Sequence, residues 1–578
     1  MAQKLKNESG IVLLVCLAIL FMLSLIGIAS ITTSNNDMQI AENESRATGA
    51  FYAAESGLEM AAAAITTSYE ASGVPPDPLP SGSAEELHYI YKYTTSDDGP
   101  AVNKQLSDGS YKGLYGLMKT FTVNSFGIDN ASNSGVELQM QVSDALIPLF
   151  QFAVFYEYDL EIANQPIMTL GGRVHTNGDM YLNTWSDLYL DSYVTAAGDI
   201  YHGMKSGSNL SATSNDVWIK DEDGNYQSMK NADNSFLDSD EDNWVNESLN
   251  RWDGQIEDGN HGITELYMPV VSDGDPTRMI DPDNGGSNPS SYENQAGLKF
   301  IGGNAYYKQV NGTWLNVTGS LTASGALSLA PAGPQFHDDR EGKDVYAYDI
   351  NMDRLNSSGY FPSNGIIYAS YDYPNNNSYL VGIRLLDGEE LNGDLTVATD
   401  LPLYTHGDFN TVNKKAASLM CDAYTALSNN WSDGNSWTGN KWHRQANDTE
   451  VNASYIAGST ETGASGHTFN GGFNNLARFL EDWGNEEFKW RGSAANLWYS
   501  RKADEAWRVP GGGYYTPPDR NWAFDEDLLD INKLPPGTPM VNIVQRLNWS
   551  QKISHNLAYN DGEEAENGNG NGNGNGNN

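Results

Sequence analysis

Cysteine is nearly absent: 578 residues hold only Cys16 and Cys421. Cys16 lies inside an apolar run and Cys421 lies far from it, so neither a cystine framework nor a C-x-x-C site is expected. Basic residues are also scarce. Lys and Arg number 33 against 75 Asp and Glu, a net charge of −42. Such a chain repels a phosphate backbone, which argues against nucleic acid as a partner, and it disfavours docking on anionic lipid head groups. It suits a solvated extracytoplasmic surface, or one that attracts cations, and solubility alone accounts for it. G-x-S-x-G, Walker A and His-Glu-x-x-His motifs are missing as well. No catalytic residue is nominated, and the chain is not read as an enzyme.

What the chain does have begins near the N-terminus. Behind Lys4 and Lys6, the run "SGIVLLVCLAILFMLSLIGIAS" is uncharged. Its core, Gly10 to Ile31, reaches the roughly 20 residues that cross a bilayer, and it is too long for a signal-peptide h-region of about 7–15. The two lysines place the N-terminus in the cytoplasm and the rest outside it. Beyond the run, Ile40, Ala47, Phe51, Ala54, Leu58, Ala61 and Ile65 recur in steps of three, four and seven. That spacing predicts an amphipathic helix continuing the span to about Tyr69. The prolines of "PPDPLP" then end it.

A short basic leader closed by Gly10, an apolar run and a long helix together resemble a type IV prepilin. The wording "IAENESRATGAFYAAESGLEMA" resembles the PilX-type minor pilin N-terminal family, through Asn43, Arg46, Ala50, Ala53, Ala54, Glu55, Gly57 and Leu58. The resemblance implies that prepilin peptidase cuts between Gly10 and Ile11. It also implies a helix, bearing Val15, Phe21, Phe51 and Leu58, that serves first as a membrane span and then as filament packing. Most pilins carry Glu at the fifth position after the cut; here Val15 stands there. In filaments that Glu is thought to neutralise a neighbour's N-terminal amine, so its loss suits a subunit at the tip.

The middle of the chain reads as strands. "MKTFTVNSFGID" and "GVELQMQVSDAL" alternate about "NASNS", a hairpin pattern. Then "VHTNGDMY" (Val174 to Tyr181) recurs as "VTAAGDIY" (Val194 to Tyr201), with weaker copies at Leu321 to Ser328 and Leu403 to Asn410. A period near 20 with Gly turns suggests a β-solenoid coil, in which Gly supplies a turn conformation and Asp bonds its own turn. A sharper reading makes Asp179, Asp199 and Asp408 a carboxylate set for Ca²⁺ or glycan cleavage. The third copy, with Ala326 in the Asp position, favours the structural one. "HDD" (His337, Asp338, Asp339) and "HGD" (His406, Asp408) lack metal-ligand spacing.

The segment from 209 to 289 is acidic and poor in pattern. Asp238, Asp240 and Asp242 alternate there, so calcium is a possible cofactor, although the EF-hand spacing fails and a solvated loop is the default. "KKAASLMCDAYTALSNNW" has helical spacing, and "GGFNNLARFLEDW" starts a second expected helix. Trp431, Trp437, Trp442, Trp490, Trp498, Trp507 and Trp522 are read as mainly core, with sugar stacking as the alternative. This third, through "DLTVATDLPLYTHGDFN", "WRGSAANLW" and "LPPGTP", resembles the C-terminal region of long PilX-N-domain proteins, which supplies no activity.

The expected fold is α+β, mainly β. It comprises a leader over 1–10, a transmembrane and amphipathic pilin-type helix over 11–72 and a small antiparallel sheet over 85–163. A large β-solenoid-like (β-helix) domain with insertions and a few helices follows over 164–555, then a disordered acidic tail over 556–578. The resemblance implies a minor pilin or pseudopilin, held in the inner membrane and then carried to a cell-surface filament. Its partners would be other pilins and minor pilins, prepilin peptidase and the pilus assembly platform. The alternatives are an anchored carbohydrate-active β-helix enzyme and an anchored adhesin with no filament role. N-terminal sequencing of mature protein should begin at Ile11; an intact Met1 contradicts the prepilin reading.

Overall fold

The computed structural model describes residues 4–107, 109–131, 134–269, 274–328, 333–371, 378–464, 467–508 and 514–552. The tail expected over 556–578 lies outside them. Helix α1 runs unbroken from Lys4–Ser72. It has no internal proline and is rich in Ala, Leu and Glu, which favour helix. It ends where Gly73, at φ +65°, donates its N–H to the Tyr69 carbonyl at 2.8 Å, the left-handed terminus that glycine adopts without steric cost. Its length is about 100 Å at 1.5 Å per residue.

Five strands follow: β1 Ser81–Glu86, β2 Tyr89–Asp97, β3 Val102–Gln105, β4 Tyr115–Asp129 and β5 Ser134–Pro148. All pair antiparallel, with β4 and β5 forming the long hairpin. One face carries Phe121, Val123, Leu138, Met140 and Val142 onto Ala54, Leu58, Ala61, Ile65 and Tyr69 of α1. The sheet is completed from the far end of the chain. Strand Met540–Lys552 pairs antiparallel with β5, from Met540 opposite Pro148 to Lys552 opposite Glu137. The expected boundaries at 85–163 and 164–555 are therefore corrected. The small sheet spans Ser81–Pro148 together with Met540–Lys552, and the body is inserted between two neighbouring strands. The chain enters and leaves the body side by side, where Leu149 N–H donates to the Pro539 carbonyl at 2.8 Å.

From Phe152 the pairing becomes parallel. Strands β6 Phe152–Tyr156 and β7 Leu160–Asn164 are buried along their whole length, as parallel strands covered on both faces must be. They begin a stack with β8 Met168–Leu170, β9 Arg173–Thr176, β10 Met180–Thr184, β11 Leu188–Leu190, β12 Val194–Ala196 and β13 Ile200–His202. Residues twenty apart pair in register: Leu160 with Met180 with Ile200, Met168 with Leu188, and Val174 with Val194. The sheet containing β6 continues by parallel pairing through Ala494–Asn496, Ser454–Ala457, Ala417–Cys421, Leu395–Thr399, Ile366–Ser370 and Leu298–Ile301. The second face of the small sheet, through Met118, Ala145, Ile147, Val541 and Ile543, shares one core with Phe150, Tyr368, Met420, Ile456 and Trp498. The sheet is thus held between its helix and the body.

Several local expectations are corrected. Segment 209–289 is no solvated loop: β14 Val217–Lys220 extends the stack beside β11, and β16 Ile256–Glu257 extends it beside β12. Between them β15 Tyr226–Ser228 and helix α2 Trp244–Trp252 help to bury Met229, Leu237, Trp244 and Trp252. Its apolar residues are spaced too widely to read as a pattern. The first half of the third repeat copy is the end of a helix, Thr318–Ser324, and the fourth lies in a continuous strand, Leu403–Val412. The helix expected from Lys414 is two buried strands, Ala417–Cys421 and Tyr424–Leu427. The one expected from Gly471 is a single turn at Phe473–Asn475 followed by strand Ala477–Arg478. Where every residue is buried, three- and four-residue spacings select no face, and periodicity loses its meaning.

The seam between β5 and the C-terminal strand encloses Asp144, which accepts a hydrogen bond from Asn542 Nδ2. Burial pushes its carboxyl up to about 7. The native state then holds a proton that the unfolded chain releases near pH 4, so stability falls as pH rises from about 4 to about 7 and stays low above it. Asp144→Asn should leave the melting temperature nearly unchanged at pH 4 and raise it at pH 8. Equal effects at both pH values would contradict this assignment.

Candidate membrane and filament interface

Among the described residues, the apolar part of α1 is exposed along its length. Ile11 is 63% exposed, Val15 51% and Phe21 64%. By length and composition the helix can cross a membrane, with a window of mean hydropathy 3.2 of which none is buried. Two of its hydroxyls are satisfied within the helix. Ser24 Oγ donates to the Leu20 carbonyl at 2.8 Å and Thr32 Oγ1 to the Ile28 carbonyl at 2.9 Å, which meets the requirement that polar groups in hydrocarbon be satisfied internally. The Gly10–Ile11 junction lies within the helix, with Gly10 exposed.

The upper half is built for close approach. A Cβ on Gly127 of β4 would lie 1.9 Å from the Ala50 carbonyl oxygen and 2.5 Å from the Ala54 nitrogen. One on Gly57 would lie 2.2 Å from Ser125 Oγ, and one on Gly49 would lie 2.1 Å from the Tyr89 ring. Helix and sheet backbones therefore touch, which only small residues permit. Ala50, Ala53 and Ala54 are buried in the same stripe, with Leu58 only 3% exposed beside them. Arg46 spans the junction, 2.5 Å from Glu42 on its own helix and 3.7 Å from the buried Asp129 of β4. Phe51 meets Trp549 of the C-terminal strand edge-on at 6.0 Å, and Arg546 pairs with Glu59 at 2.6 Å. Asn43 and Glu55 face solvent.

Residues 9–59 match the family model described as PilX N-terminal. The chain carries a PilX N-terminal segment. A solved structure similar to this chain is that of the competence-associated pilin ComZ from Thermus thermophilus, with 11% identity, TM-score 0.27, and coverage of 88% of this chain and 98% of that one. No curated protein matches the sequence. In the PilX N-terminal segment, Ala50, Ala53, Ala54, Gly57 and Leu58 form the face laid on the sheet. Gly127, Trp549 and Arg546, which complete that contact, escaped the sequence reading. Only the alternation around Gly127 hinted at a glycine facing the helix.

The other candidate residues do not converge. Asp179 Oδ1 accepts the Asp199 N–H at 2.9 Å, and Asp159 Oδ1 accepts the Asp179 N–H at 3.0 Å. The repeated Asp bonds the next repeat rather than its own turn. The repeated Gly is needed for space rather than conformation: a Cβ on Gly178 would sit 2.5 Å from Asp159 Oδ1, and one on Gly198 would sit 2.2 Å from Asp179 Oδ1. Asp159 begins this ladder and went unnoticed because "YEYDLEI" has no Gly before its Asp. Asp408 lies apart, accepting from Asn429 Nδ2 at 2.9 Å and Glu450 N–H at 2.8 Å. Asp238 accepts from the N–H groups of His202 and Asp240, while Asp240 and Asp242 are exposed. Among the described residues, no three His, Cys, Asp or Glu side chains are grouped to hold a metal ion. Cys16 is exposed and Cys421 buried, both unpaired.

Gly127→Ala should lower the stability of the helix–sheet module by about 1–3 kcal/mol, because the obstructing atoms are backbone. Gly57→Ala should cost less, since a serine hydroxyl can turn aside. Gly27→Ala, with nothing within 4 Å of the added carbon, should leave the melting curve unchanged. Equal melting of all three would mean that the helix does not lie on β4.

Proposed function

We propose that this chain is a minor pilin of a type IV filament system. One observation carries the reading: a single helix has its upper half buried on its own sheet and, over 10–31, an uncharged apolar surface that is exposed among the described residues. A membrane anchor alone needs no rigid continuation of about 60 Å beyond the bilayer. A filament subunit needs one, because the span must pass from lipid to neighbouring helices without refolding. In this reading the inner membrane holds the span until prepilin peptidase removes residues 1–10 and the assembly platform extracts the helix towards other pilins. Val15 leaves no carboxylate for a subunit above, and the inserted body is too bulky for every position of a packed shaft. Both support a place at or near the tip, where the body primes assembly or meets surfaces. We read the in-register parallel stack of 152–257 as a β-solenoid.

The test is fractionation. In cells with an active prepilin peptidase, processed chain should appear in sheared filaments at far less than one copy per major subunit, and antibody to the body should label filament ends. Exclusive recovery with the inner membrane would leave an anchored adhesin.

A further inference from the structure

Of the nine tryptophans from Trp431 onward, three are largely exposed, and one of these, Trp549, meets Phe51 of the helix; Trp437 and Trp442 remain. Trp431, Trp490, Trp498 and Trp522 are buried, and Trp507 is half-buried. Trp437 is 46% exposed and Trp442 62% exposed, and both leave the segment 431–443, far in sequence from the pilin helix. Indoles left 46% and 62% exposed forgo a large part of the about 150–250 Å² each could bury, so two on one short segment point to a ligand.

The backbone beneath them is fixed from inside. Trp431 Nε1 donates to Asp433 Oδ1 at 2.8 Å, and the nearly buried Arg384 donates to the same oxygen at 2.6 Å. Buried Ser436 accepts the His337 N–H at 2.9 Å. Beside Trp442, Lys441 and Arg444 are anchored inward: Lys441 Nζ donates to the Tyr515 carbonyl at 3.2 Å while lying 4.9 Å from the Trp442 ring centre, against one indole face, and Arg444 Nε donates to the Leu480 carbonyl at 2.7 Å. Trp442 and His443 are left facing out on a frame that loses little entropy on binding. Planar polar groups border the indoles. The His337 ring lies 6.2 Å from that of Trp437, its Nδ1 2.7 Å from Asp344 Oδ1, and exposed Asn440 and Gln445 sit beside Trp442.

We infer that Trp437 and Trp442 form a binding platform for a neutral oligosaccharide. Indole faces match the C–H faces of pyranose rings, and amide, carboxylate and imidazole groups match their hydroxyls. Asp339 and Asp344 flank His337 on a chain of net charge −42, which repels uronates, sialic acids and phosphates. The platform is independent of any place in a filament, so it is measurable whether or not the chain polymerises.

The experiment uses the full chain in a polyoxyethylene detergent free of sugar, titrated with maltohexaose, cellohexaose, chitohexaose and mannohexaose by calorimetry and tryptophan fluorescence. At least one should bind saturably. Trp442→Ala and Trp437→Ala should each weaken that binding at least about tenfold, the scale of a tryptophan hot spot, with unchanged melting. Trp442→Tyr should retain part of it. Absence of saturable binding to all four at millimolar concentration overturns the inference. So does binding that both alanine variants leave intact, equal binding of hexagalacturonate, or transfer of the tryptophan dependence to phosphatidylcholine vesicles.

Discussion

Contact between the backbones of α1 and β4 is the constraint on which the rest of the molecule depends. With Gly127 against Ala50 and Gly57 against Ser125, the helix lies so low on the sheet that Leu58, Ile65 and Tyr69 bury fully against Phe121, Val123 and Val142. That burial fixes the upper half of a helix about 100 Å long, and through it the direction of the lower half. A bulkier stripe would lift the helix, open the apolar layer and free the stalk to pivot. The small residues of the PilX N-terminal segment therefore act through geometry rather than chemistry.

The second constraint is the seam between β5 and the C-terminal strand. Because the chain enters the body after Pro148 and leaves it before Met540, the body hangs from two adjacent strands that bond to each other. A core shared by Met118, Ile147, Val541, Tyr368 and Trp498 continues across the junction. Arg173, from inside the body, reaches back to the Ser110 carbonyl at 2.7 Å and stacks over Tyr193. A body joined by two paired strands and a continuous core is held firmly to the sheet that carries the helix.

Within the body, carboxylates that look catalytic on paper are structural. Asp159 and Asp179 each accept the N–H of the next Asp in the ladder, and Tyr181 and Tyr201 donate to the remaining oxygens of Asp179 and Asp199 while stacking at 5.3 Å. The last rung is closed by Asn260 Nδ2 at 3.0 Å from Asp199. Repetition in the sequence reflects repetition of a space: each Gly leaves room for the Asp of the coil before it.

Local pattern was legible wherever one face of an element is buried and the other is not. The upper part of the helix, with its segment similar to PilX N-terminal sequences, and the hairpin of β4 and β5 meet that condition, whereas the twenty-residue period was legible because the same residue types recur at positions that pair in register. Pattern failed where burial is uniform, as at Ala417–Cys421, or where apolar residues are thinly spread, as between 209 and 289. Which tryptophans stay outside was likewise closed to it, since Trp431 and Trp442 differ only in what surrounds them. The sequence by itself determined the helix, its apolar span and the strand-rich body, because these follow from short-range spacing. Tertiary structure alone decided that the last strand completes the first sheet and that Gly127 receives the helix. Those outcomes join residues hundreds of positions apart, and no local periodicity encodes such a pairing.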